Sequence, residues 1–415
     1  MAPNVDYFSR LSDPLIFTIL SFLPFKEAGR TSILSKRWRN IWHEAKNYEF
    51  NERFFVNSDG EFEVREGIGR EAFMQFMRSW IHNYKEANID KFFLTFSNPQ
   101  SFREDVLKCI TFAVEKNVKV LGIDFSNPTW EEEEEFSYRP ATFDLPLNVY
   151  GNQSIEALKL FSCNFIAPKL INFSLLKELS LGYVELQKET LKELLVNCEE
   201  LVSLSLKRCD IACIEIKKPV NFKLESLVID KCNIFDWVLI EAPNLKFFKY
   251  SGDLCNFDVE GISILKDVEL DFGLQTEFEE VGDLLYDILH ELSHVKVLTV
   301  CSYMLQIRGA FVIQIDLFLQ FTLFCDTLNY CLMFNFQCIP HGEEPMAMEP
   351  PLSVQHLILK TAMHENEFFG IRFFLNSCPL LETLTIESSP TRNILEVSDF
   401  IILNVNSYKF FFNSK

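Results

Sequence analysis

The sequence has no Cys-x-x-Cys pair, although it holds twelve cysteines. Cys209 and Cys213 stand four apart, but no second pair completes a zinc set. The opening MAPNVDYFSR lacks a cationic region followed by an apolar core, so no secretory signal is expected. Both absences point to thiols kept reduced, in the cytoplasm or nucleus, and they strip Asn152 and Asn172 of meaning as glycosylation acceptors. Glycine (14) and proline (16) are too scarce for a collagen-like or low-complexity chain. No GxxxxGK[ST], GxGxxG or GxSxG motif is present. Basic excess is missing as well: 39 Lys+Arg against 59 Asp+Glu give a net charge of −20. That field repels a phosphate backbone, so nucleic acid is not an expected partner.

What is present describes a folded protein. Of 415 residues, 48% are apolar and 24% charged, and the 42 Phe demand a long core. Charge is uneven. Residues 1–50 carry seven Lys/Arg and five Asp/Glu, whereas the rest is strongly acidic, so a basic head and an acidic body suggest two jobs. Cys163, Cys198, Cys209, Cys232 and Cys378 flank Leu-rich runs, as small buried apolar residues do.

In the head, Ser12 is placed to cap a helix whose first turn holds Asp13 and Pro14, where a missing N–H costs little. Leu15, Ile16, Ile19, Leu20, Phe22 and Leu23 follow at helical spacing and form a wide apolar face. Pro24 ends this helix, a short one starts near Lys26, and a third starts near Ser35 with Trp38 and Trp42 on one side. Some forty residues cannot bury all these faces alone. They pack on the rest of the chain or they bind another protein.

This segment resembles the F-box of plant F-box/LRR proteins, most specifically at Leu34-Ser35-Lys36-Arg37-Trp38-Arg39. It departs from the family pattern at Ser12, Pro14 and Gly29, the last weakening the middle helix by about 0.5–1 kcal/mol. The resemblance implies docking on the Skp-type linker of a cullin–RING ubiquitin ligase. The residues it implicates are Leu11, Leu15, Ile16, Ile19, Leu20, Leu23, Pro24, Leu34, Ser35, Trp38 and Trp42, with Lys36, Arg37 and Arg39 steering an acidic linker surface.

An apolar triplet spaced i, i+3, i+5 then recurs, from Ile89/Phe92/Leu94 to Leu381/Leu384/Ile386. Eleven copies occur, and between residues 158 and 268 their steps stay within 20–25, the range of leucine-rich repeats. The last two triplet residues alternate, so each copy reads as a short strand whose apolar side a neighbour must cover. Helical stretches at Thr190–Leu195 and Leu284–Leu289 separate some of them. Alternation then turns Lys159, Ser180, Ser205, Val228, Lys249, Glu269, Thr299, Ile358 and Thr385 out of the concave wall. That mixed row suits reading a target protein better than catalysis or phosphate binding. Residues 354–387 resemble the start of the FBD region of the same family.

Two stretches break the pattern. Residues 306–339 are Phe-rich without caps or repeat spacing, and Asp316 and Asp326 interrupt their apolar runs below the ~18 residues a membrane span needs. They read as a solvent-shy insertion or a stray helix, and the tail 397–415 is similarly out of character. One hypothesis is that both are translated non-coding sequence; sequencing the transcript decides it, and their presence in the mature message refutes it. The five glutamates at 131–135 read as a solvated loop.

His290-Glu291-Leu292-Ser293-His294 matches HExxH, in which two histidines one helical turn apart share a zinc and the glutamate activates water. Its context argues against that reading, because Val295 opens a repeat strand at once.

The expected class is α/β: a small all-α F-box of three helices at 5–48, followed by an irregular leucine-rich-repeat solenoid with a parallel β-sheet on its concave face. Residues 49–150 lead into the array, 151–305 form the repeats, 306–345 the insertion and 350–396 a partial FBD region. The expected role is a non-catalytic ligase adaptor without cofactor, metal, nucleic acid or membrane. Its expected partners are the Skp-type linker, through it cullin and RING, and a target protein. A repeat protein with a decayed F-box, and a zinc hydrolase using His290, Glu291 and His294, are the competing readings.

Overall fold

The computed structural model describes residues 10–23, 25–43, 46–54, 62–127, 130, 143–165, 173–217, 223–234, 237–273, 281–306, 347–363 and 367–388. Pro24, the side chain of Trp42, the glutamates at 131–135, residues 307–339 and the tail 397–415 lie outside this description.

The head is three helices, α1 (Asp13–Phe22), α2 (Phe25–Arg30) and α3 (Lys36–His43). Ser12 takes the N-cap position of α1 with extended backbone, but its side chain makes no capping bond, contrary to the expectation. Ser35 does cap α3: its Oγ accepts from the Trp38 backbone N–H at 3.3 Å. The wide apolar face of α1 divides into two stripes, each with i, i+4, i+7 spacing. Ile16, Leu20 and Leu23 turn inward and meet Leu11, Ala28 and Trp38 in a small core separate from that of the repeats. Helical period fixes both stripes, but only the partner helices decide which of them is inner.

Behind the head the chain runs β1 (Asn47–Asn51), α4 (Phe62–Asn83), β2 (Lys91–Thr95), α5 (Arg103–Glu115), β3 (Val120–Asp124), α6 (Leu147–Tyr150), β4 (Ala157–Phe161), β5 (Glu178–Gly182) and α7 (Lys188–Asn197). It continues through β6 (Ser203–Lys207), β7 (Asp210–Ile211), β8 (Ile214–Lys217), β9 (Ser226–Asp230), β10 (Asn233–Ile234), β11 (Trp237–Glu241), β12 (Phe247–Ser251) and β13 (Asn256–Glu260). The last elements are β14 (Asp267–Asp271), α8 (Val281–Glu291), β15 (Val297–Val300), α9 (Ser302–Gln306), β16 (His356–Thr361), α10 (Phe368–Ser377) and β17 (Thr383–Ser388).

Among the described residues twelve strands form one parallel sheet in the order β1-β2-β3-β4-β5-β6-β9-β12-β14-β15-β16-β17. The sheet opens at Asn47, so the boundary expected at residue 48 falls inside β1. The segment expected to lead into the array already contributes three of its strands. Every triplet from Ile89 to Leu359 is buried, whereas Leu381, Leu384 and Ile386, on the last described strand, are partly exposed. At the other end α4 supplies Trp80 against Tyr48 and Phe50, with ring centroids 4.6 and 4.8 Å apart. Backbone bonds between the segments before the strands tie repeat to repeat, as Lys177 N–H to Glu156 O and Val202 N–H to Lys177 O, both 2.8 Å.

The outer layer changes from helix to strand and back. Helices α7 and α8 lie on it, but between them β8, β11 and β13 form a second parallel sheet. Spacing explains the change. A ten-residue helix and a five-residue strand both span about 15–17 Å. The steps of 25 and 30 residues that hold α7 and α8 have room for the helix, and the steps of 23, 21 and 20 residues between β6 and β14 use the strand.

Candidate docking surfaces

The head's outer stripe is Leu15, Ile19 and Phe22, and Phe22 is 82% exposed. The turn entering α3 adds Ile33 and Leu34, 83% and 58% exposed. Five large apolar side chains facing water on so small a module form an apolar patch of the kind that serves as an interaction site. Ile16, Leu20 and Trp38 do not belong to that surface. They are 0%, 5% and 4% exposed, so the expectation that they meet a linker is corrected: they hold the three helices together. Leu11 and Leu23 are half-buried against the same core.

The basic residues divide too. Arg37 turns inward, donating from Nε to Asp13 Oδ1 at 2.6 Å and from Nη2 to the Leu11 carbonyl at 2.5 Å, and so fastens the chain before α1 to α3. Lys36 and Arg39 remain exposed beside exposed Ser35. Phe22 and Ile33 were missing from the expected docking set. The spacing of Phe22 from Leu15 and Ile19 was the signal that could have found it.

The second surface is the side of the large sheet opposite the helices and outer strands. Strand register places Gly122, Lys159, Ser180, Ser205, Val228, Lys249, Glu269, Thr299, Ile358 and Thr385 in one continuous row, as alternation predicts. Phe93 precedes Gly122 in that row, and a Cβ on Gly122 would lie 2.3 Å from its ring, so the missing side chain is what lets Phe93 lie flat. Thr299 is buried rather than presented, because Lys249 and Lys360 converge on its neighbour Glu269. Lys249 Nζ donates to Glu269 Oε1 at 2.9 Å, and Lys360 reaches the same oxygen from two strands away.

Burial opposes ionisation of Glu269, but the two ammonium groups outweigh it and hold its carboxyl below the ordinary range. A depressed folded-state value means stabilisation that is complete above the unfolded carboxylate value of about 4.3 and is lost as pH falls through the folded one. We therefore expect the melting-temperature advantage of the wild type over Glu269→Gln to be present at pH 7 and to close below about pH 4. An advantage that persists at pH 2.5 would contradict this assignment.

Four of the described thiols are poor nucleophiles. Burial pushes Cys109, Cys301 and Cys378 up to about 12 and Cys255 up to about 11. Cys163, Cys209 and Cys232 follow the strands at the repeat position where a small buried group is needed, and their Sγ atoms donate to the backbone carbonyls of Phe161, Leu181 and Leu206. The HExxH segment is not built as a zinc helix. Helix α8 ends at Glu291, His290 is exposed, and His294 Nε2 lies 3.1 Å from the Ile262 carbonyl. Among the described residues no group of three or more His, Cys, Asp or Glu is placed to hold a metal, and no helix is long and apolar enough to cross a membrane.

The chain thus joins a three-helix head with an uncovered apolar stripe to a parallel leucine-rich solenoid, and presents two candidate docking surfaces. Comparison with known proteins agrees with both parts. The F-box domain model matches residues 8–50, and the LRR domain model described as At1g61320/AtMIF1 matches residues 83–314. "Putative F-box protein At3g29830" of Arabidopsis thaliana is 33% identical over 394 residues, covering 92% of this chain and 76% of the relative. "F-box protein At3g62230" of the same plant is 31% identical over 397 residues, covering 95% and 79%. "F-box/FBD/LRR-repeat protein At4g26340", also from Arabidopsis thaliana, is 27% identical over 307 residues, covering 72% and 65%. The chain belongs to the plant F-box/LRR-repeat family, whose members include FBD-associated proteins.

Proposed function

We propose that this chain is the substrate-recognition adaptor of an SCF-type cullin–RING ubiquitin ligase, with the head on the Skp-type linker and the solenoid on the target. The observation that carries the reading is the division of α1. One apolar stripe is consumed in the head's own core, and Leu15, Ile19 and Phe22 are left facing water beside Ile33 and Leu34. Chemistry is supplied elsewhere in this reading. A separate conjugating enzyme carries the reactive cysteine, and the adaptor raises the local concentration of the target's lysine near it. The buried thiols suit a reducing compartment, cytoplasm or nucleus.

Leu15→Asp with Phe22→Asp tests the docking stripe in the full chain. Each apolar side chain buried at an interface contributes about 1.5–3 kcal/mol, so the pair should weaken linker binding about 100-fold or more. Both residues are exposed in the free chain, so thermal stability should stay within about 2 °C. Unchanged affinity in titration calorimetry would count against the docking face. A wild-type chain that fails to bind at micromolar concentration would favour the decayed F-box.

A further inference from the structure

We propose that the β9–β17 half of the concave wall docks a basic, extended segment of the target, with its Lys or Arg side chains meeting Asp230, Asp267 and Asp271. The inference rests on the adaptor reading and gives its target a chemistry. It starts from an asymmetry along the uncovered face. From β1 to β6 the outward positions carry Lys91, Lys159 and Lys207 against Glu49, Asp124 and Glu178, an even balance. From β9 to β17 they carry Asp230, Asp267, Glu269, Asp271 and Glu387 against Lys249 and Lys360 only.

Both of those lysines make their ion pairs with Glu269 rather than with Asp230, Asp267 or Asp271, and the neighbouring cation in register is Lys207, opposite Asp230 at the β6–β9 seam. Lys360 does feel Asp271 and Glu387 at longer range. Asp267 is raised above the ordinary carboxylate range by burial and by Glu269, with His356 opposing, as expected for a carboxylate that lacks a close cation.

Asp230 and Asp271 stand at matching register on either side of Ser251, and Asp267 lies four residues before Asp271 on the same strand. The three therefore mark out a triangle of about 10 by 13 Å, a span that long, flexible cationic side chains can bridge. Half-exposed Val228, Phe247 and Ile358 lie on the same face and suit the aliphatic stems of Lys or Arg. An acidic, partly apolar sheet face is complementary to a basic peptide and repels an acidic one.

The test uses the full chain and a fluorescein-labelled (Lys-Ala)6 peptide at about 0.1 M salt, where surface attraction is only partly screened. The wild type should bind, and Asp230→Asn with Asp267→Asn and Asp271→Asn should weaken binding at least tenfold. Glu104→Gln with Glu115→Gln and Glu199→Gln, exposed and away from this wall, should change it less than twofold. Equal loss in both triple variants, or no binding at all, would overturn the proposal. A second measurement leaves the protein unaltered: carbodiimide couples the peptide's amines to nearby carboxylates, and mass spectrometry maps them. Adducts on Asp230, Asp267 or Asp271 support the site, and adducts confined to other faces refute it. Linker binding by the same preparation is scored separately, so a failed linker titration sinks the adaptor reading and a failed peptide titration sinks only this one.

Discussion

Trp38→Ala is expected to unfold the head and leave the repeats standing. The head's core consists of four buried side chains, Ile16, Leu20, Ala28 and Trp38, with Leu11 and Leu23 packed at its margin. Trp38 is the largest of them, and truncating a buried Trp to Ala costs about 3–5 kcal/mol. Ile16 and Leu20 each contribute only about 1.5–3 kcal/mol by their burial and Ala28 less, too little to hold three short helices against their conformational entropy. The repeats do not depend on this core, because theirs is a separate cluster.

Hydrogen exchange is the suitable measurement. Amides of α1 and α3 should lose protection, those of β2 to β15 should keep theirs, and linker binding should vanish. The surface pair Leu15→Asp and Phe22→Asp should do the opposite, abolishing binding with protection intact. If Trp38→Ala removed binding while α1 stayed protected, Trp38 would return to the docking face and the division of α1 described above would be wrong.

The contrast between Leu15 and Ile16 marks how far the sequence reaches. Both are apolar, both lie on one broad face of α1, and their spacing carries no sign of which neighbour covers which. Only the position of α3, fixed by Arg37 on Asp13 and the Leu11 carbonyl, turns Ile16 inward. The solenoid was far more legible. Its triplet Leu-x-x-Leu-x-Leu fixes strand, face and register together, because each repeat must present the same side to the next. The outward row from Lys159 to Thr385 followed from alternation alone.

β1 was not legible. Tyr48 and Phe50 alternate, but Ala45 stands where the leading residue of a triplet would be, and the aromatic cover from α4 takes over that role. The outer strands had a signal that went unused. Ile214/Ile216, Val238/Ile240 and Phe257/Val259 alternate within steps too short for a helix.

Gly370→Ala is the second substitution expected to do large damage, at the other end of the molecule. A Cβ on Gly370 would lie 2.3 Å from the Leu305 carbonyl oxygen and 2.5 Å from its Cα. Both are backbone atoms, so no side-chain rotation relieves the clash, and either α9 or α10 must move. The methyl group restores about 1 kcal/mol of helix propensity, against an overpacking cost of about 1–3 kcal/mol.

Moving α10 adds a further cost. Glu367, at its N-terminus, is fully buried and accepts from the hydroxyls of Ser302 and Thr361. Separating α9 from α10 breaks the Ser302 contact and takes one hydrogen bond from a buried carboxyl group, a loss of about 1–3 kcal/mol. Because repeats are stabilised by their neighbours, the damage should be local. Amides of β16, α10 and β17 should exchange freely while β4 to β12 stay protected. Gly151→Ala is the control: a Cβ there meets nothing within 4 Å, and the backbone φ of −101° suits any residue, so its exchange and melting should match the wild type. Wild-type protection of α10 in Gly370→Ala would mean that α9 and α10 approach less closely than the fold requires.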